Sequence, residues 1–236
     1  MSAEPEDSDR FNGWRTDWER LRNDVHLLFA CRHIFRTLDD ELVRSRRLGR
    51  QLILDKFLRP MYFEAQAVRL RRLADKDTRT ISFRRLLLEM AKQSGILSRD
   101  RYINTVLDPA EADDDARVRF VSGLFDQLAG VGAESVDPAI LKGYADELDL
   151  DAKKVSDYVD QHVAHRDRLA APPIKWGALD TAIDALGKHY SRIGTYLTGS
   201  YHVAEIAVAS GWERVFSPGL FLPNISGWEC ADWTFS

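Results

Sequence analysis

The chain has little cysteine. Cys31 and Cys230 are the only two in 236 residues, and they lie far apart. That count and spacing exclude a disulfide framework and a zinc ribbon. Two reduced thiols of a cytoplasmic protein are the reading that remains. No apolar run approaches the roughly 20 residues needed to cross a bilayer, so no membrane segment is expected. The first ten residues, MSAEPEDSDR, are acidic and polar, the opposite of a secretion signal. Positive charge is also short: the net charge is −4 and the pI about 5.9, with no global surplus to advertise nucleic acid. The chain lacks GxGxxG, Walker A and HExxH patterns. A serine triad has no nucleophile elbow to sit in. Internal repeats and low-complexity segments are missing, and no strand-like alternation precedes the C-terminal tail.

What is present is helical periodicity. Hydrophobic residues make up 44% of the chain and charged residues 30%, ordinary values for a globular protein. Trp14, Trp18, Leu21, Val25, Leu28, Phe35, Leu38 and Leu42 recur at spacings of three, four and seven, which predicts one amphipathic helix. His26 and His33 stand near the edge of that stripe, where a packed or solvated pair is expected. A basic joint, Arg44-Ser45-Arg46-Arg47, leads to a second stripe of Leu48, Leu52, Phe57, Met61, Ala65, Val68 and Leu73. Pro60 in its middle predicts a kink. Ser82 or Thr80 is expected to cap a helix over 83–92. Shorter helices follow over 98–107 and from the acidic run 111–115, whose charges complement a helix N-terminus. Asp137-Pro138 opens a helix over 139–147. A further stripe runs from Trp176 through Leu179, Ile183, Leu186, Tyr190, Ile193 and Leu197.

The expected fold is therefore all-α: an antiparallel bundle of long helices with short inserted helices. The expected organisation is a disordered acidic leader over 1–12, a helical domain over 13–209 and a tail over 210–236. The tail holds Trp212, Phe216, Phe221, Trp228, Trp233 and Phe235, and is expected to drape over the bundle or a second subunit.

Chemistry concentrates at 150–167. A helix there is expected to end on His162 and His165, three apart and so on one face. Asp157, Asp160, Arg166, Asp167 and Arg168 crowd the same turns, and Pro172-Pro173 stops the helix. Three readings compete. A metal site could use both histidines with Asp157 or Asp160, but an evident third ligand from elsewhere is lacking, so no metal and no cofactor is expected. A metal-free ribonuclease could use a histidine for proton transfer and an arginine against the phosphate. Or the histidines could be structural, capping carbonyls at a helix end. Upstream, Arg69, Arg71 and Arg72 complement a helix C-terminus or form a small phosphate patch.

Three segments together resemble the HEPN superfamily of bacterial helical proteins, and most its AbiU2-like branch. They are Arg69-Leu70-Arg71-Arg72-Leu73-Ala74-Asp75-Lys76-Asp77, then Ile81-Ser82-Phe83-Arg84-Arg85-Leu86-Leu87, and Asp160-Gln161-His162-Val163-Ala164-His165-Arg166-Asp167. The likeness spans roughly residues 15–200 in architecture and only these segments in motif. It implies a helical bundle that commonly dimerises with the late-helix motifs of two subunits facing each other. It also implies a role in phage defence, abortive infection or toxin–antitoxin pairs, with a protein partner from the same module. Catalytic members carry arginine, four to six residues, then histidine. Here the histidine is His165, and the arginine position falls on Tyr158, Val159 or Asp160. Lys154 is the nearest upstream cation, about 16 Å back along a helix axis. The motif is therefore degenerate. Dimerisation and recognition are the expected activity, a ribonuclease using His165 with Arg166, His162 and Asp160 around it is the enzymatic alternative, and a scaffold unrelated to RNA is the third. Under the ribonuclease reading RNA would be met by Arg69, Arg71, Arg72 and Arg168.

Overall fold

A computed structural model describes residues 5–44, 54–107, 114–164, 176–200, 202 and 204. The expected tail over 210–236 and the basic joint after Arg44 lie outside the described residues, as does Cys230. Among the described residues seven α-helices carry the fold: α1 Pro5–Arg44, α2 Arg59–Leu73, α3 Phe83–Lys92, α4 Arg99–Val106, α5 Asp115–Ala129, α6 Pro138–Tyr158 and α7 Trp176–Thr198. A π-helical turn, Leu54–Leu58, runs into α2, and a second, Val159–Ala164, continues α6. Among the described residues no strand forms; a lone bridge joins Ser98 to Ser135. No helix among them is long and apolar enough to cross a membrane.

α1 is a rod of 40 residues, about 60 Å long at 1.5 Å per residue. It begins at Pro5, inside the 1–12 stretch whose composition predicts a disordered leader. The reason is Phe11, which is buried and extends the core stripe of Trp14, Trp18, Leu21, Val25 and Leu28 by one turn. Ordering a polar N-terminal turn is offset by burying that ring against Tyr196, 6.0 Å away edge-on. Helix starts follow the side chains that satisfy free amides. Ser82 Oγ accepts from the Arg85 amide, Asp114 from Ala116 and Arg117, and Asp137 from Ala139. Pro60 falls in the first turn of α2, directly after the π-helical turn Leu54–Leu58. The π-turn before it keeps the chain helical on both sides.

α6 is one helix of 21 residues, where the composition predicts two. Nothing between Glu147 and Asp151 breaks it. Leu148 is buried, and the charge of Asp149 is met by Arg84 Nε at 2.8 Å and Lys76 Nζ at 3.2 Å.

The long helices pack antiparallel. On α1 and α2, Asp24 meets Arg72, the Leu28 carbonyl meets Gln66 Nε2 at 2.7 Å, and Asp39 meets Arg59. On α1 and α7, Trp18 stacks on Tyr190 at 5.0 Å, Arg32 pairs with Asp184 at 2.6 Å and Arg36 with Asp180 at 2.8 Å. On α6 and α7, Tyr144 meets Arg192, and Glu147 meets His189. Gly194 makes the α1–α7 approach possible: a Cβ there would overlap the Trp18 indole.

The chain reverses after α7 at Gly199, whose φ of +65° suits glycine. The two described residues beyond Ser200, His202 and Ala204, lie back against α7. The His202 amide donates to Thr195 Oγ1 at 3.2 Å and the Ala204 amide to Ser191 Oγ at 2.9 Å. Ala204 is buried there.

Candidate functional site

The end of α6 is held by aromatic packing. Phe63 of α2 takes Tyr158 edge-on at 5.3 Å and Trp176 edge-on at 5.5 Å. One ring thus grips the chain on both sides of residues 159–175. Trp176 is also parallel to Phe35 at 5.6 Å and to Tyr62 at 5.7 Å. Burial pushes the phenols of Tyr62 and Tyr158 up, aided at Tyr158 by Glu64, so both stay protonated donors. No spacing rule points to this clamp. The aromatic residues flanking the histidine segment in sequence were the available signal.

Past Tyr158 the helix widens into the π-turn, which places a non-standard backbone where the chemistry-bearing motif begins. Asp160 lies on this turn, half exposed, and accepts from Arg71 Nε at 2.7 Å. An exposed pair of this kind stabilises by at most about 1 kcal/mol, so its interest is positional. It brings a guanidinium from α2 to the α6 end, across 89 positions of sequence.

Arg71 and Asp160 open onto a cleft of about 530 Å³ between α2, the turn after it and α6. Its charged lining is Arg71, Lys76 and Lys153 against Asp75, Asp149, Asp157 and Asp160. The three cations each have a carboxylate partner: Arg71 with Asp160, Lys76 with Asp149, Lys153 with Asp157. The lining is therefore slightly acidic and charge-satisfied, unlike a phosphate cleft. A second hollow of about 320 Å³ lies against Phe35, Tyr62 and Trp176, with Arg36 and Arg59 on its rim. Those two arginines are likewise paired, to Asp180 and Asp39.

The three arginines read from the sequence as one phosphate patch take three different partners. Arg69 turns to Gln66 Oε1 at 3.1 Å and toward Cys31 Sγ. Arg71 reaches Asp160, and Arg72 reaches Asp24 at 3.2 Å. Arg71 diverges from its neighbours one and two positions away, whereas Arg69 and Arg72, three apart, both turn toward α1. His162 lies within the π-turn. His165, Arg166 and Arg168 lie outside the described residues. Among the described residues, no group of three or more histidine, cysteine or acidic side chains is placed to hold a metal.

Asp149 joins the cleft to the core. It takes both Arg84 contacts, at 2.8 and 2.9 Å, while itself only 19% exposed. Asp149→Ala is expected to lower stability by about 1–3 kcal/mol, because the sheltered Arg84 guanidinium loses its partner. Urea unfolding of the two proteins measures this; a change below about 0.5 kcal/mol, the size of an ordinary surface substitution, would show that solvent replaces the carboxylate freely.

Fold and cleft define an all-α antiparallel bundle with a mixed-charge groove at one helix end. No family model, no curated protein and no solved structure matches the chain.

Proposed function

We propose that this chain is a HEPN-like helical protein of a prokaryotic defence or toxin-type module, working in the cytoplasm through dimerisation and recognition of a partner rather than through catalysis. The observation that carries this reading is the Arg71–Asp160 pair. A carboxylate stands where the resembling ribonucleases have arginine, and the guanidinium beside it is neutralised. RNA phosphate approaching this groove would meet Asp157 and Asp160 as well as the cations. Recognition of a protein surface of mixed charge suits such a lining better.

The same pair favours one second reading, a metal-independent ribonuclease using His165. Residue 160 lies five positions before His165, and Arg71 brings a guanidinium to that place from another helix. Release of Arg71 from Asp160 on RNA binding would restore a cation to the motif.

Dimerisation is tested by sedimentation at micromolar concentration. The expected species has about twice the chain mass of 27.0 kDa, through an interface burying about 1,200–2,000 Å² or more. A single species at the monomer mass across that range would remove the dimer and with it the facing-motif arrangement.

A further inference from the structure

α1 and α2 each carry a second apolar stripe, outside the one that faces the core. On α1 it runs through Leu27, Cys31, Ile34 and Leu38, at spacings of four, three and four. On α2 and the π-turn before it, it runs through Leu58, Met61, Ala65 and Val68, at spacings of three, four and three. Those are the a and d positions of a heptad, the pattern of a helix that packs on another helix along that side. No described helix covers them. Leu27, Ile34, Met61 and Ala65 are exposed, Met61 by 67%, and the other four are half-buried. Phe57, 61% exposed, borders the α2 stripe. Of the ten large exposed apolar side chains among the described residues, Leu27, Ile34, Phe57 and Met61 gather on this face and the rest are scattered, so exposed apolar surface concentrates here.

The two stripes form one surface with a common midpoint. Across the α1–α2 seam the Leu28 carbonyl meets Gln66, and Phe35 stacks on Tyr62 at 4.0 Å. The middle of the α1 stripe, between Cys31 and Ile34, therefore lies level with the middle of the α2 stripe, between Met61 and Ala65. One two-fold axis crossing both helices at that level sets Leu27 against Leu38, and Cys31 against Ile34, of a second copy. The same axis sets Leu58 against Val68 and Met61 against Ala65. Each stripe is thus complementary to itself, which is what an isologous contact requires. The rotation also carries Glu41, exposed on α1, to the level of the Asp24–Arg72 pair, where the Arg72 side chain is exposed. An acid then meets a guanidinium at the rim. Arg69, the other cation beside the α2 stripe, is folded back onto Gln66 and toward Cys31.

We propose that this face binds a second copy of the chain, so that α1 and α2 of two subunits form a four-helix bundle. The inference rests on the dimerisation proposed above and supplies its interface. Phe63 and Arg71 turn a different side of α2 toward α6. Copies joined through α1 and α2 hold their α6 ends apart instead of facing, and the groove beside Asp160 stays open to a partner.

Sedimentation of the full chain at micromolar concentration tests the face. The wild type is expected to run as a dimer. Met61→Glu/Ala65→Glu sets carboxylate against carboxylate across the axis, at two exposed positions. It is expected to weaken association about 100-fold or more and leave a monomer with an unchanged circular dichroism spectrum. A cross-link tests the register, and decides the matter should the paired glutamates unfold the chain. In a Cys230→Ser background, Ile34→Cys places a thiol opposite Cys31 of the second copy, and copper phenanthroline is expected to oxidise the pair to a covalent dimer. Leu27→Cys in the same background is expected to give at least about tenfold less, because its thiol lies too far along the helix from Cys31 of the second copy. A wild-type dimer left intact by Met61→Glu/Ala65→Glu, or cross-linking no better from Ile34→Cys than from Leu27→Cys, would overturn this interface and leave dimerisation standing. A monomeric wild type would remove both; a lower urea midpoint in its Met61→Glu/Ala65→Glu variant would then show the face covered by the chain's own residues.

Discussion

Trp18→Ala is expected to lower the stability of the protein by about 3–5 kcal/mol, the usual result of emptying a large aromatic site. Trp18 is fully buried at the middle of the α1–α7 contact. It stacks on Tyr190 at 5.0 Å, and its Nε1 donates to the Tyr190 carbonyl at 3.4 Å. The Tyr190 hydroxyl returns a bond to the Trp18 carbonyl at 3.5 Å. Truncation would therefore empty a large volume and break one of two reciprocal bonds. A loss of this size is a large part of the 5–15 kcal/mol that holds a domain together. The shape argument is sharper than the total. Gly194→Ala alone is expected to cost about 1–3 kcal/mol by overpacking the indole. Trp18→Phe alone leaves a gap in the same place. Combined, they are expected to cost less than their sum by about 0.5 kcal/mol or more, because the new methyl enters space vacated by the indole. Urea unfolding of the three variants gives the cycle. Strict additivity would mean that Gly194 is not what admits Trp18.

The second large effect concerns RNA. Purified wild-type protein is expected to leave RNA intact, since the groove at the α6 end is acidic and its cations are paired. Should cleavage occur, His165→Ala is expected to reduce it by about 10²–10⁴-fold, the usual contribution of a general acid or base. Arg71→Ala is then expected to reduce it by about 10²–10³-fold, the cost of removing one charge-stabilising donor. Arg71→Ala should change stability by no more than about 1 kcal/mol, because its pair with Asp160 is exposed. Cleavage that survives His165→Ala at full rate would remove this helix end as the active site. Cleavage lost in His165→Ala but kept in Arg71→Ala would assign the cation to another residue.

The helices were legible because their determinants are local. Trp14 to Leu28 repeat at helical spacing, and Ser82, Asp114 and Asp137 cap helices within three residues of themselves. Two boundaries were not. Phe11 lies in a polar stretch, and its contact with Tyr196, far along the chain, gives the start of α1 a reason to form. The join between the helix over 139–147 and the helical stretch from 150 was the other: Asp149 falls between them, and Arg84 and Lys76, which neutralise it, are distant in sequence. The candidate site was less legible still. The sequence grouped Arg69, Arg71 and Arg72 by adjacency, whereas helix geometry turns Arg71 to Asp160 and leaves Arg69 and Arg72 on the α1 side with partners of their own. Phe63, Tyr158 and Trp176 meet only because α2, α6 and α7 converge.

The grip of Phe63 on both Tyr158 and Trp176 separates two burdens that most folds mix. The core already fixes Tyr158 and Trp176, the residues on either side of the 159–175 stretch. The entropy of closing a loop between fixed ends grows only with the logarithm of its length, about 0.6 kcal/mol for each doubling. Val159, buried in the core, and Asp160, paired with Arg71, belong to the frame, and chain added between Ala164 and Trp176 is expected to leave the surrounding helices in place. The histidine segment is in that sense an exchangeable cassette, and the bundle is a chassis on which its chemistry can change by insertion and deletion without a new fold.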